Sequence, residues 1–377
     1  MEDHARAGKL VNLYHTNGQF TSAITARTTF GIDTESNIGA DTDDKFTLCA
    51  KNIVKSFSKR NSWNIYIIYL LQKFPRLHLF LAEKLKINYV DECIMDNVSY
   101  LDALLLQGIA EREKLQHGGQ GKKYQDFLQS LVAAKFARDA KITKKKSEDT
   151  NGSEPHTDKA RPERLLTHEE VMAQLLTILF AGFDMTTSAL QFCLYHLAVH
   201  PEIQNKVYKE IQELVHSEEP THEEITKLVY MDQVINESMR LLPAVGIIGR
   251  TARETRSYGD ITIPAGSSVY MSINRIHKDP KNFPDPEKFD PNRFSDEEKA
   301  KRDPLAFAPF GWGPRSCIGS RLVAQELKIA LVYILRKVSF EVNEKTVPKK
   351  GEELEIFFST QLTRVARPIQ LQPTLRK

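Results

Sequence analysis

Apolar residues recur along much of this chain at the three- and four-residue spacing of amphipathic helices. Residues 8–58 predict helices around a polar loop near Asp33–Asp44. Residues 62–140 predict more helix, with amphipathic stretches at Trp63–Lys73 and Tyr124–Ala140. Phe74–Lys86 mixes apolar bulk with basic residues, which suits a core-facing helix better than one lying on a membrane surface. The pattern breaks at 141–162, where charged and small polar residues predict a surface loop. Thr167 and Glu170 then stand at capping-box spacing. The apolar run from Val171 to Val199 predicts one helix of about eight turns, ~43 Å long. Glu202–His216 and Tyr230–Leu241 predict two more helices.

After these the chain changes character. Gly249–Arg256, Ile261–Ile263 and Ser268–Ile273 read as strands, with a tight turn at Pro264–Gly266. An irregular Pro- and Asp-rich stretch covers Asp279–Phe294, Ser320–Lys337 is again an amphipathic helix, and Phe340–Val342, Glu355–Ser359 and Ile369–Gln372 predict short strands. The expected fold class is mainly α with a minor β-sheet portion.

Composition narrows the function. A net charge of +3 over 377 residues gives no footing for nucleic-acid binding, although it permits a local basic face for an acidic protein. The longest apolar runs, Ile65–Leu71 and Ile178–Phe183, fall short of the ~20 residues that span a bilayer. Cys49, Cys93, Cys193 and Cys317 lie far apart with no CxxC pair, which suits neither a disulfide framework nor a zinc site. A reducing compartment is the natural reading, and it argues against glycosylation of the Asn151-Gly-Ser153 sequon.

The segment from Phe310 to Gly319 asks for a chemical explanation. Gly311, Gly313 and Gly319 let its backbone approach a flat macrocycle without a side chain in the way. Cys317 lies at the start of the following helix, whose positive end and free amides favour negative charge on sulfur. Arg315 is placed to meet an acidic haem propionate, and Phe310 to pack beside a thiolate ligand to the iron.

The stretch is similar to the haem-binding signature of the cytochrome P-450 monooxygenases, and other motifs of that family stand in the expected order. Glu237-Ser-Met-Arg240 resembles the family's Glu-x-x-Arg pair, and Pro291-Asn-Arg-Phe294 resembles the segment that completes a buried cluster through Arg293. Arg250 matches a second propionate-binding position. Ala181-Gly-Phe-Asp-Met-Thr186 resembles the oxygen-binding segment, which makes Asp184 the expected proton-delivering acid and Gly182 the residue that opens a groove. Met185 departs from the pattern, which has an alcohol directly after the acid; Thr186 replaces that hydroxyl only where the helix is bulged. Phe180, Ala181, Phe183, Val245 and Ile247 are the expected pocket lining.

Thr29–Asp33, Asp126–Gln129 and His196–Pro201 look like the microsomal group that holds the drug-metabolising family 3 enzymes, thromboxane synthase and insect xenobiotic-oxidising enzymes. The resemblance implies a single P-450 domain over residues 1–377, about the C-terminal three quarters of the family's length. It lacks the N-terminal anchor and first strands and helices. It implies haem b as cofactor, bound through Cys317, with electrons from NADPH through a partner reductase and a lipophilic small molecule as substrate. It further implies the cytosolic face of the endoplasmic reticulum membrane, with peripheral membrane contact and no nucleic acid. Met185 favours a peroxide-isomerising enzyme like thromboxane synthase as the alternative, and a haem-binding protein without turnover is the third reading.

Overall fold

The computed structural model describes residues 1–34, 42–58, 92–118, 126–131, 166–359 and 361–376. The expectations for Trp63–Lys73, Phe74–Lys86, the 141–162 loop and much of Tyr124–Ala140 lie outside the described residues. The chain divides into two compact units, one of residues 19–183 and one that joins residues 1–18 to 184–377.

In the first unit, the helix Leu13–Thr25 passes into a π-helical turn, Ala26–Phe30, that ends at Gly31 with φ +68°. The helices Lys45–Ser58 and Glu92–Gly118 follow. Phe30, Phe46, Leu101, Leu105, Leu128, Leu175 and Phe183 pack together as the core, with the Phe30 and Phe46 rings edge to face at 5.6 Å. Inside it, Arg112 reaches the Asp126 carboxylate at 2.5 Å and donates to the carbonyls of Gly108 and Phe30. That pairing compensates two charges taken out of water. A cavity of about 360 Å³ in this unit is bounded by Phe30, Ile32, Asp44, Phe46, Tyr100 and Leu104, none of them an expected site residue.

The capping box forms as the sequence predicts, with Glu170 N donating to Thr167 Oγ1 and Thr167 N to Glu170 Oε2. The long helix differs from the expected regular one. It runs as α-helix over His168–Phe180, widens to a π-turn at Ala181–Met185, and resumes as α-helix over Thr186–Val199. By length and composition this helix passes the test for a membrane span, yet 61% of its apolar window is buried in the protein, as a core helix requires.

In the second unit, Thr186–Val199 is buried on nearly every side. It packs against Pro201–Leu214, Val229–Leu241, Ser320–Lys337 and the strand after the last. Among the described residues nine short strands accompany these helices: β1 Val11–Asn12, β2 Ile247–Thr251, β3 Arg256–Tyr258, β4 Ile261–Ile263, β5 Ser268–Ser272, β6 Val338–Glu341, β7 Ile356–Ser359, β8 Leu362–Val365 and β9 Gln370–Leu375. All pair antiparallel, in the order β1–β9–β6 and as the hairpin-like pairs β2–β5, β3–β4 and β7–β8. The strand expected over Gly249–Arg256 is two strands. Ala252 leaves the β2–β5 ladder to exchange hydrogen bonds with Ser267 and Gly266, and the chain then turns out into β3. The mainly helical fold with small sheets is the class expected from the sequence.

Candidate functional site

The loop that carries Cys317 is built by its backbone. Gly311 and Gly313 hold φ of +71° and +79°, in the left-handed region that favours glycine. The Cys317 amide donates to the Phe310 carbonyl at 2.9 Å, Gly311 N to Ala308 O at 3.0 Å, and a 3₁₀ turn fills Gly313–Arg315. The following helix starts at Ser320 with Gly319 as its cap, so Cys317 stands just before the helix rather than in its first turn. A Cβ at Gly311 would touch Ile248 of β2, so the loop lies against that strand.

Cys317 is exposed, whereas Cys49 and Cys193 are buried. Burial pushes the Cys193 thiol up to about 12, which makes it a packing residue. Around Cys317 the chain presents Arg315, Arg250 and an apolar rim, with Ile318 at 85% exposure. Arg250 Nη2 donates to the Arg315 carbonyl at 3.4 Å, which brings the two expected propionate partners together. Among the described residues neither arginine has an acidic side chain in ion-pair contact. No cluster of three His, Cys, Asp or Glu side chains among them could hold a metal ion either. A metal at Cys317 must therefore bring its remaining donors with it. An exposed thiol, an apolar rim and two cations without carboxylates fit a haem with its two propionates.

Behind the loop lies a buried ionic network. Arg240 grips Glu237 through Nε at 2.6 Å and Nη2 at 2.9 Å, both side chains having no exposed surface. Helical i, i+3 spacing supplies that geometry. Arg240 also donates to the carbonyls of His277, Pro286 and Lys288, and Glu237 accepts the Asp290 amide at 2.8 Å. Arg293, from a 3₁₀ turn over Pro291–Phe294, brings its Nε to 3.5 Å of Glu237 and donates to Asp285 O. Burial still raises the Glu237 pKa, against the pull of Arg240, the Asp290 amide and Arg293. The three residues singled out from the sequence thus come together. His277, whose ring accepts the Ala308 amide at 2.9 Å, was not among them.

The π-turn carries the second expected group. Asp184 has no exposed surface and lies within a bidentate contact from Arg364 of β8, at 2.8 and 2.6 Å. It also accepts the Tyr14 hydroxyl at 2.7 Å. Burial first, and then the Asp184 carboxylate, push the Tyr14 phenol far up. For Arg364, burial works against the charge, but the bond and attraction to Asp184 outweigh it and raise its pKa. Neither Tyr14 nor Arg364 was singled out from the sequence. An Arg in a short alternating strand reads as a surface residue, and the one available signal was that a buried Asp demands a cation.

Thr186 follows the π-turn directly, its hydroxyl buried and without a hydrogen-bond partner among the described residues. The bulge on which its candidacy depended is present. Met185 is half-buried. Gly182 is used for packing rather than as an open groove, since a Cβ there would sit 2.9 Å from Thr25 Oγ1.

The expected pocket residues separate. Phe183 lies in the core of the first unit with Phe180 packed on that core, while Ala181 is exposed. Val245 and Ile247 meet the β7–β8 hairpin: Val245 bridges to Leu362, and the Gly246 and Ile247 amides both donate to Gln361 O. A Cβ at Gly246 would overlap the Phe358 ring, so this approach needs glycine. The hairpin that holds Arg364 on Asp184 therefore also backs Val245 and Ile247.

Among the described residues these features define a helix-rich protein that offers an exposed thiol on a loop with two arginines near it, backed by a buried Glu–Arg–Arg network. The family model for cytochrome P450 matches residues 1–372, and the chain belongs to that family, whose cofactor is haem. Cytochrome P450 3A5 of Homo sapiens is 30% identical over 98% of this chain and 65% of its own length. Cytochrome P450 3A7 of Homo sapiens is 32% identical, over 92% of this chain and 62% of its own length. The probable cytochrome P450 6a13 of Drosophila melanogaster is 37% identical over 52% of this chain and 41% of its own length. The chain spans less than two thirds of the length of each of these three relatives.

Proposed function

We propose that this chain serves as a haem-thiolate monooxygenase of lipophilic small molecules. The observation that carries the reading is the exposed Cys317 beside Arg315 and Arg250, on a loop braced by Glu237, Arg240 and Arg293. When bound, the haem supplies oxidising power, and electron density from a cysteine thiolate favours O–O cleavage. Cys317 holds the iron, while Arg315 and Arg250 meet the propionates. Phe310, Gly311, Gly313 and Gly319 shape the approach. Thr186 offers its uncommitted hydroxyl on the reacting side, next to Asp184, whose carboxylate is held by Arg364 and Tyr14. Phe180, Ala181, Phe183, Val245 and Ile247 are the candidates for the lipophilic pocket, Val245 and Ile247 being backed by the β7–β8 hairpin. NADPH supplies electrons through a partner reductase. The working location is the cytosolic face of the endoplasmic reticulum membrane, by the microsomal kinship of its relatives.

One observation favours a second reading, isomerisation of a lipid peroxide. Asp184 is committed to Arg364 and Tyr14, and the residue after it is Met185, so the expected proton relay lacks both of its usual groups in a free state. A peroxide isomerase needs neither delivered protons nor a reductase. Turnover with reductase and NADPH, set against turnover of a supplied hydroperoxide alone, separates the two. Product that depends on NADPH supports the monooxygenase; product from hydroperoxide alone supports the isomerase. Haem retention with neither product leaves a haem-binding protein.

A further inference from the structure

His277 caps the short helix Ile273–Ile276 and is fully buried. Three contacts converge on it. Its carbonyl accepts Arg240 Nη1 at 3.0 Å, its ring Nε2 accepts the Ala308 amide at 2.9 Å, and its ring leans on Phe307 at 5.0 Å and 31°. Burial pushes the imidazole down to about 4, so the ring is neutral at ordinary pH. Acceptance at Nε2 then fixes the proton on Nδ1, which turns toward the last-turn carbonyls of Arg240 and Met239 without closing a hydrogen bond.

Ala308 is where the thiolate loop begins. Its amide is held by His277 and its carbonyl takes the Gly311 amide, while two residues on the Phe310 carbonyl takes the amide of Cys317. The Phe307 ring beside it packs on Phe294 at 4.6 Å, in a small apolar cluster with Phe283 that Arg240 and Arg302 cover. One residue thus ties the ionic network, through its carbonyl, to the loop entry, through its ring. A backbone amide in that position has a single acceptor, and losing it frees the loop to change its register.

We propose that His277 is a positioning residue for the thiolate: through its Nε2 it fixes the Ala308 amide, and with it the direction in which Cys317 presents its sulfur. The claim rests on reading Cys317 as the haem ligand, and acts as outer-shell bonds do on metal ligands generally.

The test uses the full chain and two substitutions that differ in reach. His277→Gln places an oxygen where Nε2 stood, and His277→Asn carries the same amide one carbon short. The first readout, in the haem-free chain, is amide exchange at Ala308. It is expected to rise about tenfold or more in His277→Asn, and to stay within about twofold of the parent in His277→Gln. The second readout, after haem loading, is the reduced carbon-monoxide spectrum. His277→Asn shifts it from the thiolate form toward the thiol form, and His277→Gln retains the thiolate form. Equal behaviour of the two variants, or an unchanged Ala308 exchange in His277→Asn, overturns the proposal. A parent chain that takes up no haem would instead refute the ligand reading of Cys317, and the exchange measurement would still decide the role of His277.

Discussion

Two buried carboxylate–arginine pairs occupy the second unit, and they are built to different ends. Glu237–Arg240 is nearly saturated: the arginine spends its remaining donors on three carbonyls, and the glutamate takes a backbone amide and a second arginine. Asp184–Arg364 is equally bidentate but has loose ends. Among the described residues Arg364 Nε is buried without a hydrogen-bond partner, as Arg293 Nε is in the first network, and the Thr186 hydroxyl after the π-turn has no partner either. A saturated network rigidifies what it touches, and here it touches the segment leading into the Cys317 loop.

The sharpest break of this contrast is removal of one partner from each pair. Arg240→Leu should cost ~3–5 kcal/mol, because Glu237 and three carbonyls lose their partner inside the protein. Chemical denaturation would show it, and haem retention should fall with it. Arg364→Met should cost ~2–4 kcal/mol, since Tyr14 still serves Asp184. The double change Asp184→Asn with Arg364→Met should recover most of that loss. A corresponding Glu237→Gln added to Arg240→Leu should not, because its carbonyls remain orphaned. Equal recovery in both pairs would erase the distinction.

Smaller effects sharpen it. Thr186→Val replaces an unpartnered buried hydroxyl by a methyl of similar size, so thermal stability should hold or rise by up to ~1 kcal/mol. A loss above that would mean the hydroxyl has a partner in solution. The same variant should slow turnover under the monooxygenase reading and leave peroxide isomerisation unchanged.

A further effect is one of pH. Burial holds His277 down at about 4 and His196 at about 3. Both bind protons more readily when unfolded, so their contribution to stability is present above pH ~6.5 and is lost as pH falls toward the folded values. Glu326 runs the other way. Burial raises it to about 7, so the native state takes up a proton before the unfolded chain does and its penalty lifts as pH drops from about 7 toward 4.5. Glu326→Gln removes that offset. Its unfolding midpoint should fall more steeply than the parent's between pH 7 and 5, and a parallel fall would contradict the assignment.

Much of this contrast was legible before the structure. Glu237 and Arg240 were found through the resemblance of Glu237-Ser-Met-Arg240 to a family motif whose i, i+3 spacing puts both on one helix face, and Arg293 through the resemblance of Pro291–Phe294 alone. The Thr167 capping box and the Ser320–Lys337 helix were legible from local spacing. Legibility ended where contacts are long-range. Asp184 is met by Arg364 across 180 residues and by Tyr14 across 170, and no periodicity encodes such meetings. His277 was silent because its role rests on one ring nitrogen and a backbone amide. The π-turn was legible as a condition, that Thr186 requires a bulge, but not as a fact. Gly182, within that turn, comes close against Thr25, a contact the pattern of apolar residues does not record.

The central claim is that Cys317 is a haem ligand and the saturated network its support. The most direct measurement is the reduced carbon-monoxide difference spectrum of the haem-loaded chain beside that of Cys317→Ser. The substitution is at an exposed position, so folding should change by less than ~0.5 kcal/mol. A red-shifted thiolate Soret band in the parent, absent from a folded Cys317→Ser, is the predicted result. The same spectrum from both proteins, or no haem spectrum from a folded parent, would contradict it.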